Sequence, residues 1–166
     1  MQPPQAIYYC FFETPVGKLL LAASERGLRY IHFGGQLPRP RRNELWIEAP
    51  VALQPYQEQL RAYFQGELKE FTCKLDLNGT DFQKKCWNAL LRIPYGKTCS
   101  YADIAQQVGS PRAFRAVGQA NHNNPIPIIV PCHRVITSSG TLGGYGGGLD
   151  VKQKLLHHEM GSGSLL

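Results

Sequence analysis

The character of the chain changes near Asn78, and that change limits the possible folds more than any other feature. Before it, strand signals dominate. "AIYYCFFET" is rich in aromatic and β-favouring residues, "PVG" turns the chain into "KLLLAAS", and "ERG" turns it again into "LRYIHF". Short apolar runs joined by tight turns predict an antiparallel meander. The loop "GGQLPRPRRN" follows, and then Leu53, Tyr56, Leu60, Tyr63 and Phe64 recur at helical spacing, with Gly66 as a stop. The stretch "FTCKLDLNGT" reads as a short extended linker, and beyond Asn78 helix signals take over. Strands first and helices second make an α+β chain. We expect residues 1–78 to form a small antiparallel sheet with a helix, and residues 79–166 a mostly helical second domain.

The second half is punctuated clearly. Thr80 or Asp81 can cap "FQKKCWNALLRI", in which Phe82, Cys86, Leu90 and Ile93 share a face beside Trp87, and Pro94 ends it. Ser100 can cap "YADIAQQV", with Asp103 placed to complete a capping box. "GSP" breaks that helix and "RAFRAVGQAN" resumes it. This is the form of a helix-turn-helix. We assign Arg112 and Arg115 to the second helix, among the small residues Ala113, Ala116, Gly118 and Ala120. Next comes "NPIPIIVPCHRVI", where Pro125, Pro127 and Pro131 forbid a regular helix. "TSSGTLGGYGGGL" is a glycine-dense loop, and Asp150 is the expected cap of the last helix, "VKQKLLHHEM".

Charge is distributed unevenly. Residues 1–78 hold nine Lys/Arg against eight Asp/Glu, whereas residues 79–166 hold nine against four. No acidic residue lies between Ile104 and Leu149, yet Arg112, Arg115 and Arg134 do. Such a stretch suits a polyanion, although charge alone does not separate this from an ordinary basic surface. No apolar run reaches membrane-spanning length, and no secretory signal is legible at the N-terminus. Five cysteines without CxxC spacing argue against a disulfide framework or a closed zinc site. A reducing cytoplasm is the expected setting.

The reactive candidates are Cys132 and His133. A thiol is mostly protonated at neutral pH, so a neighbouring imidazole that accepts its proton creates the nucleophile, and an acid can orient that imidazole. Glu159 is the best-placed acid. In a flat strand Cys132 and His133 would point to opposite faces, so the pair is useful only if the chain bends. A bare Cys-His pair is also compatible with a core cysteine beside a surface histidine. A helix-turn-helix regulator and a cysteine hydrolase remain open on this evidence.

The pair is not bare. "PYGKTCSYADIAQQVG", "RAVG", "NPIPIIVPCHRVI" and "GYGGGL" together resemble the O6-alkylguanine-DNA alkyltransferases. The resemblance covers residues 79–166, and extends more weakly over residues 1–78 through "TPVGKLLLA" and "YFQGEL". It implies a winged-helix-like DNA-binding domain that flips an O6-alkylated guanine from duplex DNA. The alkyl group then passes irreversibly to Cys132, once per molecule. His133 would act as base through a water, with Glu159 orienting it. Asn124 would hold the active-site turn, and Tyr101 would donate to the base and help rotate it out. Arg115 would fill the space left in the duplex, with Ala116, Gly118, Gln119 and Ser138 also touching DNA. The pocket would comprise Val135, Tyr145, Gly146 and Gly147, and the carbonyls of Cys132 and Val135 would accept from the guanine amino group. The resemblance implies no cofactor and a monomer in solution, with room for cooperative loading on DNA. A non-reactive sensor of alkylated DNA would share the fold but lack the acceptor cysteine.

Three departures bear on this. Some relatives bind a structural zinc in the N-terminal domain; here Ser24 and Arg29 stand at comparable positions, so no metal is expected. Phe114 replaces a small residue of the recognition helix, and Gly146 replaces a serine found in some relatives. Arg134 is expected to point away from the pocket, toward a domain interface or backbone carbonyls.

Overall fold

The structure, a computed structural model, describes residues 3–162. It divides into two compact units that part between Leu77 and Asn78.

In the first unit, β1 (Gln5–Thr14), β2 (Gly17–Ser24) and β3 (Gly27–Phe33) form the expected antiparallel meander. A fourth strand, β4 (Glu44–Glu48), pairs in parallel with β1, giving the order β3-β2-β1-β4. The sheet is therefore mixed, not purely antiparallel. The run "ELWIE" is short and leaves Leu45 and Ile47 exposed, so its apolar pattern does not announce a buried strand. Its partner lies about 40 residues earlier in the chain, beyond the reach of local turn signals. Helix α1 (Gln54–Phe64) buries Leu60, Tyr63 and Phe64, and Gly66 adopts a positive φ of 79° just past its end. Gln57 Nε2 donates to Cys10 Sγ at 3.0 Å, and Arg61 lies over the Phe12 ring. The extended linker is tied to β3 through Leu28 N to Lys74 O (2.9 Å) and Asp76 N to Leu28 O (2.8 Å).

Arg29 is buried in this unit. Its Nη1 donates to Gln5 Oε1 at 2.6 Å and lies 3.7 Å from Asp76 Oδ2, while its Nη2 lies 3.4 Å from Glu44 Oε1. Ser24 Oγ donates to Asp76 Oδ2 at 2.6 Å, and Trp46 Nε1 to Glu44 Oε2 at 3.0 Å. The positions comparable to a zinc site thus carry an ion-pair cluster.

The second unit opens with α2 (Asp81–Leu91). Thr80 caps it through a capping box with Gln83, and the helix stops before Pro94. Buried Trp87 donates from Nε1 to Ala120 O at 2.8 Å, locking α2 to α4 (Phe114–His122). Ser100 and Asp103 form the second capping box, at the start of α3 (Tyr101–Gln107). Gly109, at φ 77°, turns the chain from α3 toward α4. Helix α4 begins at Phe114, so Arg112 precedes it, contrary to the sequence reading: Pro111 and a non-helical Ala113 delay its start. Val117, Ala120 and Asn121 are buried, while Phe114, Arg115, Ala116 and Gln119 face solvent.

Strands β5 (Cys99–Ser100) and β6 (Val135–Ile136) make a short parallel pair. Helix α5 (Leu149–His157) follows Gly148, whose φ of 95° makes the break. Asp150 lies inside the first turn and does not cap it, a second correction. The helix also ends earlier than expected, giving way to a wider, irregular turn over His158–Ser162. The terminal "GSGSLL" runs beyond the described residues. Among the described residues no helix is long and apolar enough to cross a membrane.

Candidate active site

The segment between α4 and β6 is shaped by its prolines and one asparagine. Asn124 Oδ1 accepts from Ile126 N at 3.0 Å, and its Nδ2 donates to Val130 O at 2.8 Å. Between these two anchors lies Ile128, fully buried at φ 75°. A β-branched residue in the left-handed region is an outlier and stores on the order of 1–3 kcal/mol of strain. Cys132 N then donates to Val130 O at 2.8 Å, a tight turn over Pro131. Residues Cys132–Arg134 form a single 3-10 turn and not a flat strand. Adjacent side chains in such a turn are about 120° apart, which removes the strand objection to the Cys-His pair. All three side chains are buried.

Their partners come from the end of α5. His133 Nε2 lies 2.7 Å from Glu159 Oε2. Arg134 donates from Nε to Glu159 Oε1 (2.7 Å), from Nη2 to Glu159 Oε2 (3.1 Å) and from Nη1 to Ile93 O (2.7 Å). Its guanidinium also lies over the Tyr95 ring. The sequence reading placed Arg134 on backbone carbonyls or an interface; it does take one carbonyl, but its main partner is the carboxylate assigned to His133.

The electrostatics follow from burial. Burial opposes ionisation of Glu159, but hydrogen bonds and charge from His133 and Arg134 overcome it and hold the carboxyl well below the usual range. Burial lowers the pKa of His133, against the opposing pull of Glu159, so the imidazole is neutral at neutral pH. With Nε2–H donating to the carboxylate, the tautomer leaves Nδ1 as an acceptor. That Nδ1 is buried and has no partner among the described residues. Burial pushes the Cys132 thiol up to about 11, despite opposing contributions from Asn124 and Lys152. The resting thiolate fraction at pH 7 is then on the order of one in ten thousand, so the thiol needs a base to react.

Sequence reasoning missed Lys152. Its side chain is fully buried, and Nζ donates to the carbonyls of Val135 (2.7 Å), Gly144 (3.2 Å) and Leu142. One ammonium thus ties β6 to the glycine loop. A signal was present: Lys152, Leu155, Leu156 and Glu159 recur at i, i+3, i+4 and i+7, one face of the last helix. Tyr101, Gly118, Asn121, His122, Gly144, Tyr145 and Gly146 line a small pocket between α4 and that loop. It unites the predicted Tyr101, Gly118, Tyr145 and Gly146 with three residues the sequence reading passed over, Asn121, His122 and Gly144. Gly147 is half-buried beside it in sequence, and Ser138 is exposed on a separate turn. Among the described residues no group of three or more His, Cys, Asp or Glu is arranged to hold a metal.

Fold and site define a two-unit α+β protein with a buried thiol set behind a helix-turn-helix. The family model described as the 6-O-methylguanine DNA methyltransferase DNA-binding domain matches residues 81–161, and that of its ribonuclease-like domain matches residues 7–77. The methylated-DNA–protein-cysteine methyltransferase of Methanosarcina acetivorans is 50% identical over 153 residues, covering 92% of this chain and 98% of that protein. The Mycobacterium tuberculosis protein of the same name is 52% identical over 153 residues, covering 92% of each chain. A crystal structure of Mycobacterium tuberculosis OGT in complex with DNA superposes with a TM-score of 0.87 at 49% identity, covering 95% of both chains. The chain belongs to the 6-O-methylguanine DNA methyltransferase family.

Proposed function

We propose that this protein repairs double-stranded DNA by moving a methyl or larger alkyl group from O6 of guanine onto Cys132 Sγ. The observation that carries the reading is the buried, unpartnered Nδ1 of His133, held by Glu159 beside a buried thiol. The thiol proton passes through a water to Nδ1. A sulfur–carbon bond forms as the carbon–O6 bond breaks, and the base regains a proton to become guanine. Arg134 keeps Glu159 ionised and fixed, so the imidazole does not turn.

The lesion must leave the stack, because in-line attack on the alkyl carbon is blocked inside a duplex. Tyr101 donates to the base, and Arg115 fills the gap in the duplex. Ala116, Gly118, Gln119 and Ser138 make the remaining DNA contacts. Val135, Tyr145, Gly146 and Gly147 enclose the extruded base. The small residues of α4 fit close approach to a minor groove, where readout is nearly blind to sequence. Phosphate contacts supply most of the affinity, which therefore falls with salt. The protein works as a monomer, in the cytoplasm, and each molecule reacts once, since nothing in the site cleaves a thioether.

The test is direct. The protein is incubated with duplex DNA containing O6-methylguanine, digested, and the peptide carrying Cys132 weighed. One methyl per molecule on that peptide is expected, with none in Cys132→Ala, which should still bind DNA. An intact lesion beside unmodified Cys132 would refute the proposal.

A further inference from the structure

Phe114 is the one large apolar side chain that α4 leaves in solvent, 51% exposed at the first residue of the helix. A scattered exposed apolar residue needs no explanation. The place of this one does. At i, i+4 and i+7, Phe114, Gly118 and Asn121 form one stripe along α4. Gly118 and Asn121 line the small pocket shared with Tyr101 and Tyr145. Phe114 therefore stands one turn, about 6 Å, ahead of the pocket. A Cβ at Gly118 would meet nothing within 4 Å, so an open notch lies between the ring and the pocket. On the N-terminal side, Ser110, Pro111, Arg112 and Ala113 line a wide, open hollow.

The ring is thus a ridge between two hollows, and the charge around it selects a partner. Arg112 borders the outer hollow, and Arg115 follows the ring directly and is exposed. No acidic residue lies between Ile104 and Leu149. An apolar ring flanked by arginines suits a nucleic acid, whose bases present π-faces and whose backbone is anionic. A protein partner would ask for a wider apolar patch, and here the neighbours of the ring are small or charged: Ala113, Arg115 and Ala116. Apolar side chains that enter a minor groove wedge between stacked bases and unstack them.

We infer that Phe114 is an apolar wedge: its ring enters the duplex beside Arg115 and stacks on the base pair flanking the extruded guanine. This rests on the proposed repair of duplex DNA. The extruded base then lies on the pocket side of the ring, and the flanking pair on the side of the Arg112 hollow. Stacking on the ring replaces the contact that the flanking pair loses when the lesion leaves. Phe114 touches no reacting atom; it favours extrusion and does nothing for the sulfur–carbon bond.

Phe114→Ala removes the ring, and Phe114→Leu keeps an apolar bulk without a π-face. Each is compared with wild type in single-turnover transfer from duplex O6-methylguanine at saturating protein and from the free base O6-benzylguanine, with thermal melting as the check of folding. Phe114→Ala should slow duplex transfer about tenfold and Phe114→Leu about threefold. Both should react with the free base within about twofold of wild type, because that substrate has no stack to leave. Equal losses on the two substrates would make Phe114 a packing residue. An undiminished duplex rate for Phe114→Ala at saturation would make it no more than a surface contact. Either result overturns the inference and leaves the repair reading standing. Wild-type protein is the separate control: without a methyl on Cys132, the alkyl-transfer reading itself falls.

Discussion

Each half of the molecule buries an arginine against carboxylate, and the two clusters do different things. In the N-terminal unit Arg29 faces two acids, Glu44 and Asp76, and those acids also take bonds from Trp46 and Ser24. The cluster joins residues from β1, β2, β3, β4 and the linker, and offers no spare acid or base. In the C-terminal unit Arg134 faces one acid, Glu159, which it shares with an imidazole. That imidazole keeps one nitrogen uncommitted beside a thiol. The same ionic device is a staple of the sheet in one unit, and in the other it holds an imidazole with one ring nitrogen unpartnered among the described residues. What separates the two clusters is the kind of group left open: a guanidinium Nε that can only donate in the first, and an imidazole Nδ1 able to accept a proton in the second.

The comparison can be broken most forcefully at Glu159. Glu159→Gln keeps the shape but loses the charge that orients His133, and transfer to Cys132 should fall about a hundredfold. A near-wild-type single-turnover rate would mean the carboxylate is only a staple, like Asp76. Arg29→Met makes the opposite test. It strands two largely buried carboxylates, Glu44 and the more exposed Asp76, so stability in urea should drop by about 2 kcal/mol. Transfer from the free base O6-benzylguanine, per folded molecule, should be unchanged; a matching loss of rate would erase the distinction between the clusters.

The smallest effect is on pH dependence. Because burial holds the pKa of His133 below its usual value of about 6.5, the imidazole stays neutral as pH falls through that value. The transfer rate should hold level there and decline only at lower pH. Glu159 opposes this lowering, so in Glu159→Gln the decline should move to lower pH still. A shift upward would place the controlling titration elsewhere. The stability that Glu159 contributes has a sign as well. Its folded pKa is depressed, so the contribution is present above about pH 4.3 and is lost as pH falls toward the folded value.

Much of this was legible where the physics is local. The capping box at Ser100 is written within four residues, and Thr80 was one of two caps offered for the helix before it, its box with Gln83 going unread. The Cys-His dipeptide, the Asn-Pro turn and the Arg115 helix could be read from short windows. What escaped was set by distant partners. Strand β4 exists because β1 offers an edge to it. Arg134 is tied to Glu159, 25 positions away. Lys152 looks like a solvated helix lysine until β6 presents one carbonyl to it and the glycine loop two more. Asp150 and Arg112 were misplaced by a turn or less, because Gly148 and Pro111 shift where the neighbouring helices begin.

Ile128 has a consequence for how freely the sequence can drift. The backbone at φ 75° would be most comfortable with glycine, which would relieve about 1 kcal/mol. The surrounding interior asks for a large aliphatic group, whose loss would cost about 3 kcal/mol. No residue type meets both demands. A random mutational walk through this position therefore has no downhill step, and a library selected for heat resistance should return isoleucine. The segment bearing the nucleophile is held in place by a conflict that substitution at that one site cannot resolve.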